Sequence, residues 1–178
     1  MAPKTHHTAV AALPPPEVLA PIQAIRRRYD RQVYRWMPHV NLLYPFLPQM
    51  CCAAAVPPLT TAMHTISAFH VTLAVFRSFT HRSGRCTIWL DPEPREPFVR
   101  LQAALQQAFP AYDEQSRFAA GFTPHLSVGQ VWKRDVPCVL EALQSAWEPV
   151  RFRLTEVAVI CRDVTGPFHV THRISLGL

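Results

Sequence analysis

The sequence predicts an α+β protein with one domain, residues 1–178, built from two similar lobes. Strands and helices follow one another in the order β-α-β-α-β-β-α-β-α-β-β. A chain of 178 residues is long enough for one sizeable core and short for two. Two of the strands carry nearly the same phrase, PHVN at 38–41 and PHLS at 124–127, each between two helices. This repetition in matched context predicts two related halves.

The strands are predicted from apolar runs that alternate or lie between prolines and glycines. They cover 7–13, 39–46, 69–81, 85–91, 123–132, 151–163 and 168–178. The turn at Ser83-Gly84 joins two of them into a hairpin, and the turn at Gly166-Pro167 precedes the last.

Apolar residues at helical spacing predict four helices, at 17–32, 59–68, 95–110 and 136–148. The first should begin near Pro21, because proline is tolerated in the first turn. The basic run Arg26 to Arg28 then falls on the solvated face of that helix. Asp135 is the predicted N-cap of the fourth helix.

Composition and charge narrow the class of protein. The net charge of +6 favours anionic partners such as nucleic acid or phosphates. The five cysteines are odd in number and lack a C-x-x-C spacing, which favours a reducing compartment. The sequence shows neither a signal-peptide core nor an apolar run long enough to cross a membrane. We therefore expect an intracellular protein in the cytoplasm, with the nucleus left open, and predict no membrane or protein partner.

The paired phrases place histidines where acid–base chemistry would use them. Residues two apart in a strand share a face, so His39 lies with Asn41 and His125 with Ser127, opposite the apolar side chains. Two such strands facing each other would present two imidazoles and two polar groups to one ligand. Phosphodiester cleavage needs one proton removed and one delivered, which two histidines achieve near neutral pH. The pattern predicts a phosphate-handling cleft.

These phrases resemble the paired H-x-[S/T]-x motifs of the two-histidine (2H) phosphoesterase superfamily, which includes 2'-5' RNA ligase-like proteins and cyclic phosphodiesterases. The resemblance also covers the element order, the late turn Gly166-Pro167-Phe168 and the closing strand. It implies a bilobal fold with mainly antiparallel sheets, flanked by helices, around a central cleft. It further implies metal-independent cleavage of 2',3'-cyclic phosphates or 2'-5' linkages in RNA ends or phosphorylated nucleotides, without a cofactor.

Carried over by position, the resemblance makes His39 and His125 the catalytic pair and Ser127 a phosphate-binding hydroxyl. Asn41 departs from the motif, which holds serine or threonine there, although its amide can donate to a phosphate oxygen. Tyr44 and Phe168 are candidates for stacking a base. Packing in the core is the alternative for both, and the resemblance favours the cleft for Phe168. Which histidine is the base stays open.

Other polar residues have a simpler interpretation beside the functional one. Arg77, Arg85 and Arg162 are expected at the surface, with phosphate binding as the alternative. Gln130 follows the second phrase closely and is likewise expected at the surface, with a position that faces the cleft as the alternative. No residues of the metal-binding type occur at ligand spacing, and no nucleotide-triphosphate loop is present. Two alternative functions remain: a non-catalytic module that binds RNA ends or nucleotide phosphates, and a protein-interaction domain.

Overall fold

The computed structural model describes residues 3–117 and 121–178, so residues 1, 2 and 118–120 of the predicted domain lie outside it. Within the described residues the chain forms eight strands and four α-helices. The strands are β1 Thr8–Ala12, β2 Val40–Leu43, β3 Phe69–Thr80, β4 Arg85–Glu93, β5 Leu126–Trp132, β6 Val150–Leu154, β7 Glu156–Cys161 and β8 His169–Ser175. The helices are α1 Leu19–Tyr29, α2 Gln49–Met63, α3 Arg95–Ala108 and α4 Val136–Ala146.

The strands form two four-stranded antiparallel sheets. The first has the order β2-β1-β7-β8 and the second the order β5-β4-β3-β6. The predicted α+β class with two lobes of antiparallel sheet is confirmed. The two phrases lie on the second and fifth strands, as predicted, and both of these strands are sheet edges.

The strand predicted over 151–163 is in fact two strands. The chain leaves the second sheet after Leu154, passes Thr155 and enters the first sheet at Glu156. Its burial pattern changes at that point: β6 alternates between half-buried and exposed residues, whereas β7 is buried almost throughout. An edge strand and a central strand follow one another without a break in apolar character, so the sequence pattern does not mark the crossing.

The second helix begins ten residues earlier and ends five residues earlier than the 59–68 prediction, and it includes Pro57 and Pro58. Proline removes a helical hydrogen bond and normally ends a helix. Here Cys52, Ala55, Leu59 and Met63 form a continuous buried face across the prolines. Packing of that face against the core offsets the local cost, which is the usual source of helix stability in a folded protein.

The first helix begins at Leu19 with Pro21 in its first turn, as predicted. Arg27 and Arg28 are exposed, but Arg26 is 1% exposed, so the prediction of a fully solvated basic run is wrong for Arg26. The charge of Arg26 is matched inside the protein by Asp30, one helical turn later.

The fourth helix begins at Val136, directly after Asp135. The Asp135 side chain makes no capping hydrogen bond, contrary to its predicted role. Its backbone has helical rather than extended angles, and side-chain capping requires the extended conformation. The carboxylate lies 3.7 Å from Arg134 instead.

The helices cover one face of the sheets, and each edge strand with a phrase is backed by a helix from the other part of the chain. Helix α1 packs on β5, and α3 packs on β2. The approach of α1 to β5 is close because Gly129 has no side chain; a Cβ there would lie 2.4 Å from Tyr29 Cβ. The main core lies between the helices and the sheets and includes Ile22, Leu59, Leu101, Leu42 and Leu126. We call the sheet faces turned away from this main core the open faces.

Candidate active site

His39 and His125 occupy equivalent positions at the two edge strands. Each lies one residue before its strand, since β2 begins at Val40 and β5 at Leu126. The Nδ1 atom of His39 lies 2.7 Å from the Met37 carbonyl oxygen, and that of His125 lies 2.8 Å from the Thr123 carbonyl oxygen. Because a carbonyl only accepts, both bonds require Nδ1–H. Each neutral imidazole therefore keeps its lone pair on Nε2, the atom free for proton transfer.

Burial lowers the pKa of both imidazoles. For His39, burial lowers the pKa to about 4; the bond to Met37 and the charge of Asp30 act in the opposite direction, and the charges of Arg26 and His125 lower it further. For His125, burial lowers the pKa and the bond to Thr123 opposes this shift.

Asn41 and Ser127 share the open faces with the histidines. Their neighbours Val40, Leu42, Leu126 and Val128 are all buried in the main core, so the polar side chains turn the other way. The Oδ1 atom of Asn41 is buried without a hydrogen-bond partner. Ser127 is half-buried, and among the described residues its hydroxyl has no hydrogen bond. Within the described residues, the Ser127 hydroxyl and the Asn41 Oδ1 atom therefore have no hydrogen-bond partner.

Trp36 lies directly on the His39 ring, and the sequence did not single it out. Its indole stacks on the imidazole, with centroids 4.5 Å apart and planes inclined by 18°. The same indole also stacks on the Phe168 ring, with centroids 3.8 Å apart. These rings pack against small side chains on the open face of the first sheet, which include Ala9, Ala11 and Ala158. Only the fold reveals this role, because Trp36 belongs to a loop without periodic pattern.

A second aromatic pair accompanies the other histidine. Trp89 and Phe79 stack with centroids 4.7 Å apart. Both meet the His125 ring edge to face, at 5.9 Å for Trp89 and 5.0 Å for Phe79. Trp89 is directly opposite Ser127 across the β4–β5 pair. Each candidate catalytic histidine thus has its own stacked tryptophan–phenylalanine pair.

Tyr44 and Phe168 lie in the aromatic layer of the first sheet. Phe168 is 5% exposed beneath Trp36, and its backbone N–H donates to the Arg35 carbonyl. Tyr44 meets Trp36 edge to face at 5.2 Å, and its hydroxyl lies 3.4 Å from the His6 carbonyl oxygen. The fold brings both residues near His39, where their contacts with a substrate remain a prediction.

A buried polar network connects the two lobes behind the histidines. Arg26 donates to Asp30 at 2.8 Å and to the Trp36 carbonyl at 2.8 Å. Asp30 also accepts from Gln130 on β5 at 3.2 Å, and Gln130 accepts from the Arg31 backbone N–H. The loop that carries Trp36 is therefore tied to the strand that carries Ser127. Gln130 serves in this link between the lobes.

The three arginines named from the sequence lie in different places. Arg162 donates to the backbone carbonyls of Asp163 and Val164 and lies 5.6 Å from the Phe168 ring centre. Arg85 lies over the Trp132 ring at 4.0 Å, away from the histidines. Arg77 is on the open face of the second sheet, where it is directly opposite Trp89 of β4.

A cavity of about 420 Å³ adjoins His125. Its lining includes Phe79, His81, Gln115 and Thr123. Within residues 3–117 and 121–178, no three histidine, cysteine or acidic side chains converge as they would around a metal ion. In the same part of the chain, none of the helices has the length and apolar character needed to span a bilayer.

The chain is similar in sequence pattern and fold to known proteins. The family model of the 2'-5' RNA ligase superfamily matches residues 14–166. The Thermus thermophilus protein TT0787 has 19% identity, with 96% of this chain and 97% of that chain covered and a TM-score of 0.61. Escherichia coli LigT, solved with 3'-AMP, has 16% identity, coverage of 99% and 100%, and a TM-score of 0.59. Kluyveromyces marxianus Usb1 has 13% identity, coverage of 98% and 99%, and a TM-score of 0.50. No curated protein matches the chain by sequence.

Proposed function

Because this chain belongs to the 2'-5' RNA ligase superfamily, the family that its paired histidine motifs predict, we propose that it is a metal-independent phosphodiesterase. Its substrates are 2',3'-cyclic phosphates or 2'-5' phosphodiester bonds, at RNA ends or in small nucleotides. His39 and His125 act as a general acid–base pair.

The equivalent placement of the two histidines carries this proposal. Each imidazole is held by a bond from Nδ1 to a carbonyl two residues earlier, which leaves Nε2 free on an open face. A structural histidine needs no such counterpart on a second strand. General acid–base catalysis requires two positioned groups of this kind, one to remove a proton and one to deliver it.

The low pKa of His39 supports an assignment of roles for hydrolysis. His39 has a pKa of about 4 and is neutral near pH 7, so it serves as the base. His125 then serves as the acid; burial lowers its pKa as well, and the bond to the Thr123 carbonyl opposes that shift. Nε2 of His39 takes a proton from water, and the water oxygen attacks phosphorus. The bond from phosphorus to the leaving ribose oxygen breaks, and that oxygen receives the proton of His125.

Two polar side chains hold the phosphoryl group during this displacement. Ser127 and the amide nitrogen of Asn41 donate to its non-bridging oxygens, which is consistent with the lack of hydrogen-bond partners for both side chains among the described residues. Tyr44 and Phe168 contribute to substrate binding by supporting the Trp36 ring, on whose layer a base or ribose would rest. Escherichia coli LigT has been solved with 3'-AMP, ATP and phosphate, which supports nucleotide phosphates as ligands for this fold.

The test is a product analysis with a metal chelator present. A panel of 2',3'-cyclic nucleotides and 2'-5' dinucleotides is incubated with the protein, and the products are identified by chromatography. We expect cleavage of at least one class, with a fall of about 100- to 10,000-fold in His39→Ala and in His125→Ala. His64→Ala, a change at an exposed histidine outside the site, is the matched control. Unchanged turnover in both active-site variants would exclude the mechanism.

Asn41 favours one alternative, a non-catalytic module that binds RNA ends or nucleotide phosphates in the same cleft. The residue replaces the hydroxyl of the family motif and leaves a buried acceptor without a partner. Tight binding of a 2'- or 3'-nucleotide with no cleavage of any panel member over several hours would support this alternative and exclude the enzyme.

A further inference from the structure

The open face of the second sheet carries a cluster of Arg77, Arg95 and Asp91, which we call the arginine cluster. Asp91 is 0% exposed, although it is charged. Its Oδ2 accepts from Arg77 Nε at 2.5 Å, and its Oδ1 accepts from Arg95 Nε at 2.8 Å. Burial raises the pKa of Asp91, but the bonds from Arg95 and Arg77 outweigh this and lower it overall. The carboxylate is therefore ionised at neutral pH.

The cluster has an excess of positive charge. Two guanidinium groups share one carboxylate, so positive charges outnumber negative charges by one within the cluster, and the charge of the nearby Glu93 also acts on Arg95. The arginine side chains are 49% and 44% exposed. In the described structure Arg77 uses only Nε, so both of its terminal NH₂ groups are free to donate. A guanidinium with two free donors on one edge fits the oxygens of a phosphate group.

The position of the cluster relates it to the candidate active site. Arg77 is opposite Trp89, and Trp89 is opposite Ser127, so these three residues form one row across β3, β4 and β5. Two strand spacings separate the backbones of Arg77 and Ser127 by roughly 10 Å. Phe79, two residues from Arg77 on the same face, has its ring 5.0 Å from the His125 ring. The cluster thus adjoins the place where the scissile phosphate would lie.

More basic residues continue the same face beyond the cluster. Arg151 on the edge strand β6 is opposite Thr72, and Arg153 is opposite His70. Both arginines are exposed, and neither forms an ion pair within the described residues. The neighbouring acidic side chain on this face is Glu93 of β4, which is opposite Thr72 on one side, whereas Arg151 of β6 is opposite Thr72 on the other. Positive charge therefore exceeds negative charge along the face that leads away from Ser127.

We propose that the arginine cluster binds a second phosphate of the substrate, next to the scissile one, so that the preferred substrate is a single-stranded oligonucleotide and not a mononucleotide. The bond from Arg77 Nε to Asp91 fixes the arginine side chain and leaves its terminal NH₂ groups to donate to the phosphate. This inference rests on the proposed function for the place of the scissile phosphate, and it adds a separate binding site to that function.

Kinetics with substrates of increasing length test the proposal. We expect kcat/KM to rise about tenfold, the equivalent of about 1.4 kcal/mol, from a mononucleotide 2',3'-cyclic phosphate to a dinucleotide or trinucleotide with the same cyclic end. Arg77→Gln should remove most of this gain through KM and leave the mononucleotide value within about twofold. Arg100→Gln, at an exposed position of α3, is the matched control. Equal kcat/KM at all lengths, or an equal loss on the mononucleotide, would overturn the proposal.

A binding measurement separates this inference from the proposed function. The probe is a fluorescein-labelled tetraribonucleotide with a 3'-phosphate, followed by anisotropy between about 50 and 200 mM salt. Each phosphate contact on a single strand contributes about 0.7 to the slope of log K against log salt, so Arg77→Gln should lower the slope by about 0.7. A slope unchanged by Arg77→Gln contradicts the inference even if the enzyme is active. A lowered slope in a protein that cleaves no substrate supports the inference and contradicts the proposed function.

Arg95→Gln keeps the test decisive if Arg77→Gln does not fold. It leaves the Arg77–Asp91 pair intact but removes the excess positive charge, so it should also weaken binding of the tetranucleotide. Thermal unfolding of each variant checks that the fold is retained. Binding by a folded Arg95→Gln variant that equals the wild type at every salt concentration would contradict a role for the excess charge.

Discussion

The indole of Trp36 stacks on the imidazole of His39, with ring centroids 4.5 Å apart. Phe168 also stacks on Trp36, with centroids 3.8 Å apart, and Arg26 holds the loop through the Trp36 carbonyl. His39 is therefore fixed by a ring contact and by its bond to the Met37 carbonyl. The stack also removes water from the imidazole, and burial is the main cause of its low pKa.

Trp36→Ala should hydrate His39 and raise its pKa from about 4 toward 6.5. The lost support should also lower kcat/KM by about tenfold, because the base is less well positioned. NMR titration of the His39 ring protons measures the pKa directly. Trp36→Phe should have the smaller effect, and Trp132→Ala, at a residue 44% exposed on β5, is the control. A His39 pKa that stays near 4 in Trp36→Ala would show that the stack does not cause the burial.

Replacing Asn41 separates its contribution to catalysis from its cost in stability. Asn41→Ala removes the amide donor and should lower kcat by on the order of 100-fold, as for the loss of one donor to a developing charge. The same change removes the unpartnered Oδ1, whose burial costs about 1–3 kcal/mol. We therefore expect the free energy of unfolding in urea to stay constant or to rise. Asn41→Ser should keep activity within about fivefold of the wild type, since it restores a donor.

Ser127→Ala is the matched comparison in the other lobe. It removes one donor without relieving a buried acceptor, so activity should fall and stability should not rise. Full activity in both alanine variants would exclude a phosphate-holding role for this pair.

The value of kcat/KM for hydrolysis should show a bell-shaped dependence on pH, with its maximum on the acid side of neutrality. The base His39 must be neutral, so kcat/KM falls as pH drops through its pKa of about 4. The acid His125 must be protonated, so kcat/KM falls as pH rises through its pKa, which burial holds below 6.5. Steady-state kinetics in buffers of constant ionic strength give both limbs. An alkaline limb well above pH 7 would contradict His125 as the acid of the free enzyme.

Protein stability should fall on acidification through the same groups. The pKa of His39 is about 4 in the folded state and 6.5 in the unfolded state, so between these values only the unfolded chain binds the proton. The free energy of unfolding is therefore highest above pH 6.5 and falls by about 3 kcal/mol toward pH 4. His125 acts in the same direction. Urea unfolding should show a shallower pH dependence in His39→Gln than in His64→Gln, and equal slopes would contradict the buried neutral imidazole.

Gly129→Ala should weaken the contact between helix α1 and strand β5. The added Cβ would lie 2.4 Å from Tyr29 Cβ and 3.0 Å from its carbonyl carbon, so the helix must move. Overpacking of this kind costs about 1–3 kcal/mol. Gly166→Ala is the matched control, because its nearest neighbour would be 3.8 Å away. Urea unfolding of the two variants measures the difference, and equal stabilities would show that α1 is free to adjust.

The sequence by itself determined the strands that carry the histidines, the α+β class and the family. Alternating apolar residues around His39 and His125 mark strands because the side-chain period of a strand is two. That same period placed Asn41 and Ser127 on the faces of the histidines. Asn41 also differs from the family motif in the sequence alone, whereas its buried, unpartnered oxygen is visible only in the fold.

Tertiary structure decided what surrounds those residues. Phe79 and Trp89 reach His125 from β3 and β4, which are distant from it in sequence, and Trp36, although only three residues before His39, stacks on it from a loop. Local periodicity contains no information about such contacts. The break at Thr155 and the helix through Pro57 likewise depend on which sheet or core each segment meets. Arg26 became a buried residue because Asp30 and the Trp36 carbonyl satisfy its donors, a partnership that only packing creates.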